Sequence, residues 1–534
     1  MNSAAPSSPI VAPSRGHRGW VPIAIVLLAV AGIVILQMQP ELERNFLGMI
    51  RVAIVLLAVV LTLLWLLLLS RFPWQLRLGV AVALGLVIFA GKKSVRVVGT
   101  ADGTGRPRLA WRWSAEPQPR LAAPPPTAPA APLADDPRLA QAADVPQFFG
   151  PARDGVVREA GLARDWTATP PRELWRQPIG SGWSAFAVVG GRAFTQEQRG
   201  EEELVTCYEL LTGRLLWAHA DHARFHEWQG GAGPRATPTV GGGRVFALGA
   251  TGILNCLDAE TGRREWSRDV LGENHLANLL WGVSCSPLLV DDSVIVTGGL
   301  TSGPTLFAYR RSTGEPLWKT GTDKASYSSP SLATLAGRRV VLAVNATSFT
   351  IHDPANGAVL LDFPWSDKEW PKASQPAVLD GDRVFLAAGY GLGCMMLKIT
   401  AGADGRLTAT QLWKNLRMKT QFNSVAPRGG FIYGLDDGLL ACVDLATGER
   451  KWKDGRYGSG QTLLVDDLIL IQSEPGPVVL ASARPDAFAE LGRLPALRSK
   501  TWNHPTLAGR YLLVRNDQEA VCYELPLAAS TAAR

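Results

Sequence analysis

The chain has 534 residues, 47% of them hydrophobic and 19% charged, with a formal net charge of +7. That charge is spread along the whole length without a basic run, so it describes a solvated surface and excludes a strip that tracks nucleic acid. The 6 cysteines show neither CxxC nor CxxCH spacing, which excludes a zinc ribbon and covalently attached c-type haem.

Residues 1–92 differ in composition from the rest. Trp20 to Met38, Phe46 to Leu69 and Pro73 to Ala90 are apolar stretches near the length that crosses ~30 Å of hydrocarbon, and they predict three N-terminal transmembrane α-helices. A cleaved signal peptide is the competing reading of the first stretch. Two further stretches follow it and no small-residue cleavage motif stands out, which favours a retained span. Arg15 and Arg18 precede the first stretch, Glu41 and Glu43 separate the first two, and Arg71 and Arg77 lie between the second and third. This pattern puts the N-terminus in the cytoplasm and, after three crossings, the remainder outside, although Lys92, Lys93 and Arg96 carry the opposite bias. The expected location is the inner (cytoplasmic) membrane, multi-pass, with the larger part on the periplasmic or extracytoplasmic side. Residues 93–145 read as a short strand segment around Trp111-Arg112-Trp113, then a Pro/Ala-rich spacer that includes Ala122-Ala123-Pro124-Pro125-Pro126.

From Leu210 to Trp452 one phrase recurs six times, a turn closing on Gly and then a short strand whose fourth residue is usually Trp. Thr212-Gly213 leads to Trp217, Thr261-Gly262 to Trp266, Thr313-Gly314 to Trp318 and Thr447-Gly448 to Trp452. Asn356-Gly357 leads to Leu361 instead, and Asp404-Gly405 reaches Trp413 only after extra residues. Strand-rich repeats at this period are the signature of a β-propeller, in which each unit buries its apolar face only against its neighbours. Upstream of each turn lies an inner strand marked at one place by Phe186, Pro238, Pro287, Pro330, Pro376, Val425, Thr462 or Pro505, which counts eight blades. The eighth unit stops after its third strand near Leu525. The segment Glu173-Leu174-Trp175-Arg176 matches the Trp strand but has no blade of its own, so it is predicted to complete the eighth blade and close the ring.

The fold class is therefore all-β, an eight-bladed β-propeller preceded by three transmembrane helices. The domains are 1–92 (membrane), 93–145 (strand segment and linker), 146–527 (propeller) and 528–534 (disordered tail). Trp175, Trp217, Trp266, Trp318, Trp413 and Trp452 are expected to be structural, with Leu361 at a thinner junction. Cys207, Cys256, Cys442 and Cys522 occupy one repeated strand position on different blades, so they read as free buried thiols rather than disulfide partners.

Candidate site residues come from two places. His219, His222 and His226 would share one face if their segment were helical, a workable spacing for a metal; a polar loop is the plainer reading, since no apolar periodicity supports a helix. The connections from each outer strand to the next inner strand should rim the channel, where the sequence offers Trp183, Arg235, Tyr327, Phe422 and Trp502, with Lys372, Lys500 and His504 nearby. Such a collar suits a planar anionic or carbohydrate-like ligand or an acidic peptide. The plainer reading of the same aromatic rings is a plug of the upper channel, since buried aromatics usually pack.

Phrases such as Leu257-Asp258-Ala259-Glu260-Thr261-Gly262-Arg263-Arg264-Glu265-Trp266 and Val443-Asp444-Leu445-Ala446-Thr447-Gly448-Glu449-Arg450-Lys451-Trp452 resemble pyrroloquinoline-quinone (PQQ)-type propeller repeats, and the resemblance covers roughly residues 145 to 525. The opening Phe148-Phe149-Gly150-Pro151-Ala152-Arg153-Asp154-Gly155 is similar to the start of membrane-attached bacterial propellers of this kind. The resemblance implies one of two functional classes: quinoprotein dehydrogenases that oxidise alcohols or sugars with PQQ and calcium, or the non-catalytic scaffold of outer-membrane barrel assembly. The chain lacks the adjacent cysteine pair of many alcohol-oxidising relatives, and Glu227, Asn274, Asp323 and Asn423 form no matching local motif for calcium and a base. The expectation is a membrane-anchored, envelope-facing binding or scaffold module for a protein partner, or for an acidic or carbohydrate ligand, with no catalytic residues and no required cofactor. The alternative is a PQQ-dependent quinoprotein dehydrogenase.

Overall fold

The computed structural model describes residues 19–39, 42–114 and 136–528. Two compact units divide the chain, one built from Met1–Val97 and Leu109–Ala115 and the other from Val98–Arg108 and Glu116–Arg534. Arg15, Arg18 and Glu41, which enter the orientation argument, lie outside the described residues. So do residues 115–135 of the spacer and 529–534 of the expected tail.

The first unit holds the helices Trp20–Gln37, Arg44–Leu64 with a π-helical extension Trp65–Leu69, and Trp74–Ser94. Their most apolar windows have mean hydropathies of 2.5, 3.2 and 1.7, and each is long enough to cross a membrane. Helices suit that solvent because they satisfy their own backbone groups. The carbonyls left over where the second helix ends are taken up by Arg77 of the third helix, whose guanidinium donates to Leu67 O, Ser70 O and Phe72 O. At Gly32 an added Cβ would lie 3.7 Å from Ile54 Cδ1, so the first two helices meet there.

In the second unit eight four-stranded antiparallel meanders form the ring. Blade 1 comprises Ala187–Val189, Arg192–Arg199, Glu202–Glu209 and Leu215–Asp221. Blades 2 to 7 follow at 239–269, 288–320, 331–364, 377–415, 426–456 and 461–494. Blade 8 takes three strands from 506–524 and its outermost strand from Arg172–Pro178, with Cys522 opposite Trp175. The orphan Trp strand thus closes the ring as the repeat pattern predicts. Successive hairpins of a meander turn at alternate ends. The blade-to-blade connections and the second-to-third-strand loops therefore share one end of the ring, the upper end, and the Thr-Gly turns lie at the lower end.

Neighbouring blades are joined by a tryptophan set against glycine. Trp175, Trp217, Trp266, Trp318 and Trp413 stack on Gly213, Gly262, Gly314, Gly357 and Gly448 of the following blade, where an added Cβ would come within 2.5 to 2.8 Å of the ring. The glycines also hold φ between 71° and 75°, so conformation and close approach both require glycine at these turns. Most of the indole N–H groups donate into the same turns, as from Trp175 to Leu210 O (2.8 Å) and from Trp266 to Arg311 O (2.9 Å). A β-bulge directly after the residue opposite each Trp aims the ring at the next blade. That opposite residue is Cys207, Cys256, Cys442 or Cys522 in four blades, and all six cysteines are free and buried. Burial pushes the Cys256 thiol up to about 12, so these groups remain protonated packing atoms.

Three junctions depart from the rule. At blades 6 and 7, among the described residues, Trp452 meets no glycine and instead packs on Phe488, with its indole donating to Arg484 O (2.9 Å). At blades 4 and 5 an added Cβ on Gly405 would meet nothing within 4 Å, so no ring docks on that turn, and Leu361 and Phe363 pack into an aliphatic seam with Leu397, Ile399 and Leu407. At blades 7 and 8 the outer-strand position that should carry Trp is Gly492, opposite Leu480. Trp166, from the segment ahead of the ring, lies over Gly492 with an added Cβ only 3.0 Å away, and packs with Leu480, Leu512 and Val514. The repeat pattern does not contain this substitution.

Candidate functional site

The lower mouth of the channel is crossed by the chain ahead of blade 1. Val145 pairs with Val188 of blade 1, Pro146 O accepts from Val240 N of blade 2 (2.8 Å), and Val156–Val157 adds a parallel strand to blade 7. Between these anchors Arg153, almost fully buried, donates to Ser286 O (2.7 Å), Pro287 O (3.1 Å) and Pro330 O (3.1 Å) at the inner strands of blades 3 and 4. Burial without a carboxylate partner lowers its pKa to about 10. Phe148 and Phe149 close edge-on against His504, with centroids 5.6 and 5.4 Å away. Both imidazole nitrogens of His504 face carbonyls, Pro505 O at 2.8 Å and Thr462 O at 3.2 Å. Burial outweighs that favourable setting for a charge and holds the pKa down to about 4, so the ring is neutral near pH 7.

At the upper mouth the collar forms two groups. Trp183 and Phe422 lie 4.8 and 5.1 Å from Trp502, and Lys500 Nζ stands 4.1 Å over Trp502 and 5.3 Å over Trp183. Across the mouth Tyr327 packs 5.4 Å from Trp281, and Arg235 lies over Phe225 at 4.6 Å. The Arg235 guanidinium is committed to carbonyls, donating to Trp281 O (2.8 Å), Gly231 O (2.9 Å) and Gly233 O. Lys372 is fully buried and donates to Ala346 O, Trp370 O and Lys368 O, with its pKa lowered to about 8 by burial. These two cations brace loops, whereas Lys500 faces the mouth.

The mouth has an occupant that the collar pattern does not reveal. Val95–Thr100 and Pro107–Trp111 pair as a hairpin, and its tip, Val98–Arg108, belongs to the propeller unit. Gly103 N donates to Glu474 Oε1 (2.6 Å), Thr100 Oγ1 donates to Gln229 O (2.7 Å), and Lys500 Nζ donates to Thr100 O (3.1 Å). Glu474, on the second-to-third-strand loop of blade 7, also accepts from Trp502 Nε1 (2.7 Å) and Ser459 N (3.0 Å). Glu474 sits on a second-to-third-strand loop, away from the blade-to-blade connections whose residues predict the collar. The hairpin tip carries no repeat signal.

His219 ends up on the strand Leu215–Asp221 and His226 on the two-residue strand His226–Glu227, so the helical face that would unite the three histidines does not form. Among the described residues no group of three or more His, Cys, Asp or Glu is placed to hold a metal ion. The residues set against a calcium and quinone site are each engaged locally. Glu227 caps Gln229 N and Gly230 N, Asp323 caps Lys324 N, Thr347 and Ser348, Asn274 donates to Val270 O, and Asn423 to Leu435 O.

No curated protein sequence matches the chain. Solved structures do match its fold. BamB from Moraxella catarrhalis aligns at a TM-score of 0.50 and 13% identity, over 66% of this chain and 100% of that one. A europium-containing methanol dehydrogenase aligns at 0.54 and 12%, over 70% and 89%, and a quinohemoprotein alcohol dehydrogenase from Comamonas testosteroni at 0.51 and 12%, over 74% and 83%. At such identities the likeness is one of fold alone, and it spans BamB and two dehydrogenases. Residues 201–454, a little under half of the chain, match the family described as outer membrane protein assembly factor BamB, and they lie within an eight-bladed β-propeller built on PQQ-like repeats.

Proposed function

We propose that the protein is a membrane-anchored binding or scaffold module whose propeller engages a protein partner on the extracytoplasmic side of the inner membrane and performs no chemistry of its own. The observation that carries this reading is an interrupted apolar rim on the upper loops. Trp228, Leu280, Leu300, Trp370 and Leu416 belong to the upper loops of five successive blades or blade junctions, and each is at least 40% exposed. Large apolar side chains held in water at one end of the ring mark a surface that another protein covers. The polar groups of the channel point the same way, since most are spent on backbone partners. The likeness to dehydrogenases adds a fold and no reactive set.

Changing Trp228, Leu280 and Trp370 together to Ser should remove the proteins that crosslink to the propeller in intact cells while leaving its melting temperature within about 2 °C, because exposed side chains contribute little to stability. Unchanged crosslinking would discard the rim as the docking surface. The orientation is tested separately. A reporter enzyme active only outside the cytoplasm should be active when fused after Arg534 and silent when inserted at Arg71, and the reverse pattern would place the propeller in the cytoplasm.

A further inference from the structure

We propose that the upper mouth of the ring is a binding site for a glycine-tipped peptide turn, and that the chain's own 98–108 loop is its resident occupant, a latch that another turn of the same chemistry can replace. This surface adjoins the apolar rim at Trp228 and Gln229, and the inference rests on its own contacts and not on that rim.

The contacts are those of a site that reads main-chain groups. One amide N–H, from Gly103, is taken by the Glu474 carboxylate, and one carbonyl, from Thr100, by the Lys500 ammonium. A hydroxyl adds the bond from Thr100 to Gln229 O. The apex of the turn must be glycine. An added Cβ on Gly103 would fall 2.1 Å from Ser459 Oγ and 3.1 Å from Phe422 Cε2, so Ser459 and the aromatic floor exclude any side chain. Gly103 has no positive φ, so the requirement is one of space and not of backbone conformation.

Occupancy also satisfies groups that would otherwise stand bare. Glu474 is 6% exposed and holds three N–H donors, of which the loop supplies one. Among the described residues the Lys500 ammonium donates only to Thr100, so departure of the loop leaves a cation stacked between two indoles without a hydrogen-bond acceptor. A vacated mouth therefore favours refilling by a carbonyl and an amide in the same relation. The loop itself is preformed: Asp102 accepts from Thr104 N (3.0 Å) and pairs with Arg106 (3.3 Å), and Ala101 N donates to Arg106 O (2.8 Å). A preformed turn binds with little ordering cost, which suits an occupant that must leave and return intact.

The test uses the detergent-solubilised full-length protein and a labelled, disulfide-cyclised peptide of residues 97–109. Gly103→Ala should eject the resident loop, as should Thr100→Val, which removes the hydroxyl contacts by a milder change. Both variants should bind the added peptide at least tenfold more tightly than the wild type, and Glu474→Gln placed on Gly103→Ala should abolish that binding. Trypsin should cut after Arg108 several-fold faster in both variants, with the melting temperature of the propeller retained. Peptide binding that is equal in wild type and variants, or absent from all of them, overturns the proposal. So does trypsin cleavage of the wild-type loop at the variants' rate.

Discussion

Replacing Arg172–Pro178 by a Gly/Ser segment of equal length is expected to abolish the cooperative unfolding of the propeller and to drive the purified protein into aggregates. Among the described residues this segment is the one outermost strand of blade 8, and it pairs from Pro178 opposite Glu519 to Arg172 opposite Glu524. It carries Trp175, which seals blade 8 onto Gly213 of blade 1, together with Arg176 bridging Glu173 and Glu519 at 2.7 Å each. Without it the third strand of blade 8 becomes a bare edge, and the ring loses its closing junction at the same stroke. Scanning calorimetry of a variant that remains monomeric and melts in one transition near the wild-type temperature would refute this account of closure.

The closure was legible in the sequence because Trp175 sits in the repeat phrase yet belongs to no local blade, and the same logic gave the blade count from eight marked inner strands. These signals are local, a turn glycine and a tryptophan at fixed spacing, so they survive as periodicity. The features that escaped have no period. Trp166 completes the junction of blades 7 and 8 from more than 300 residues away in sequence, and only the three-dimensional register shows that Gly492 leaves a slot for it. Within the candidate site the aromatic rings Trp183, Phe422 and Trp502 meet around Lys500. Arg235, Lys372 and His504 instead turn to backbone carbonyls, a fate that residue type and spacing do not encode. The occupying loop could not be foreseen, because Gly103 and Glu474 lie 371 positions apart.

Trp166→Ala should cost about 3 to 5 kcal/mol, the range for truncating a buried aromatic side chain. Trp166 is 4% exposed and packs in the gap between two blades. The measurement is the denaturant midpoint of the propeller in the full-length protein. A compensating pair makes the assignment sharper. Gly492→Leu should destabilise the wild type, since even a Cβ there approaches Trp166 to 3.0 Å, and should recover part of the stability lost in Trp166→Ala. Strictly additive effects of the two changes would mean that Trp166 and Gly492 do not share one slot.

The pairing of Arg172–Pro178 with Glu519–Glu524 also sets the order in which the molecule can assemble. Arg176 and Glu519 are 343 residues apart, whereas Arg153 reaches its blade 3 and blade 4 carbonyls across 133 to 177 residues. At a synthesis rate of ~5–20 residues per second, the closing strand waits on the order of tens of seconds for its partner, well after the Arg153 contacts to blades 3 and 4 become available, while the plug's contacts with Leu464 and His504 wait almost as long. Contacts of such sequence separation form slowly because the intervening chain must be ordered before they yield any stabilisation. The ring therefore stays open until residue 524 has emerged. Its vulnerability to mispairing and to proteases is concentrated in that interval of synthesis and is largely gone once the last blade has captured a strand made near the beginning.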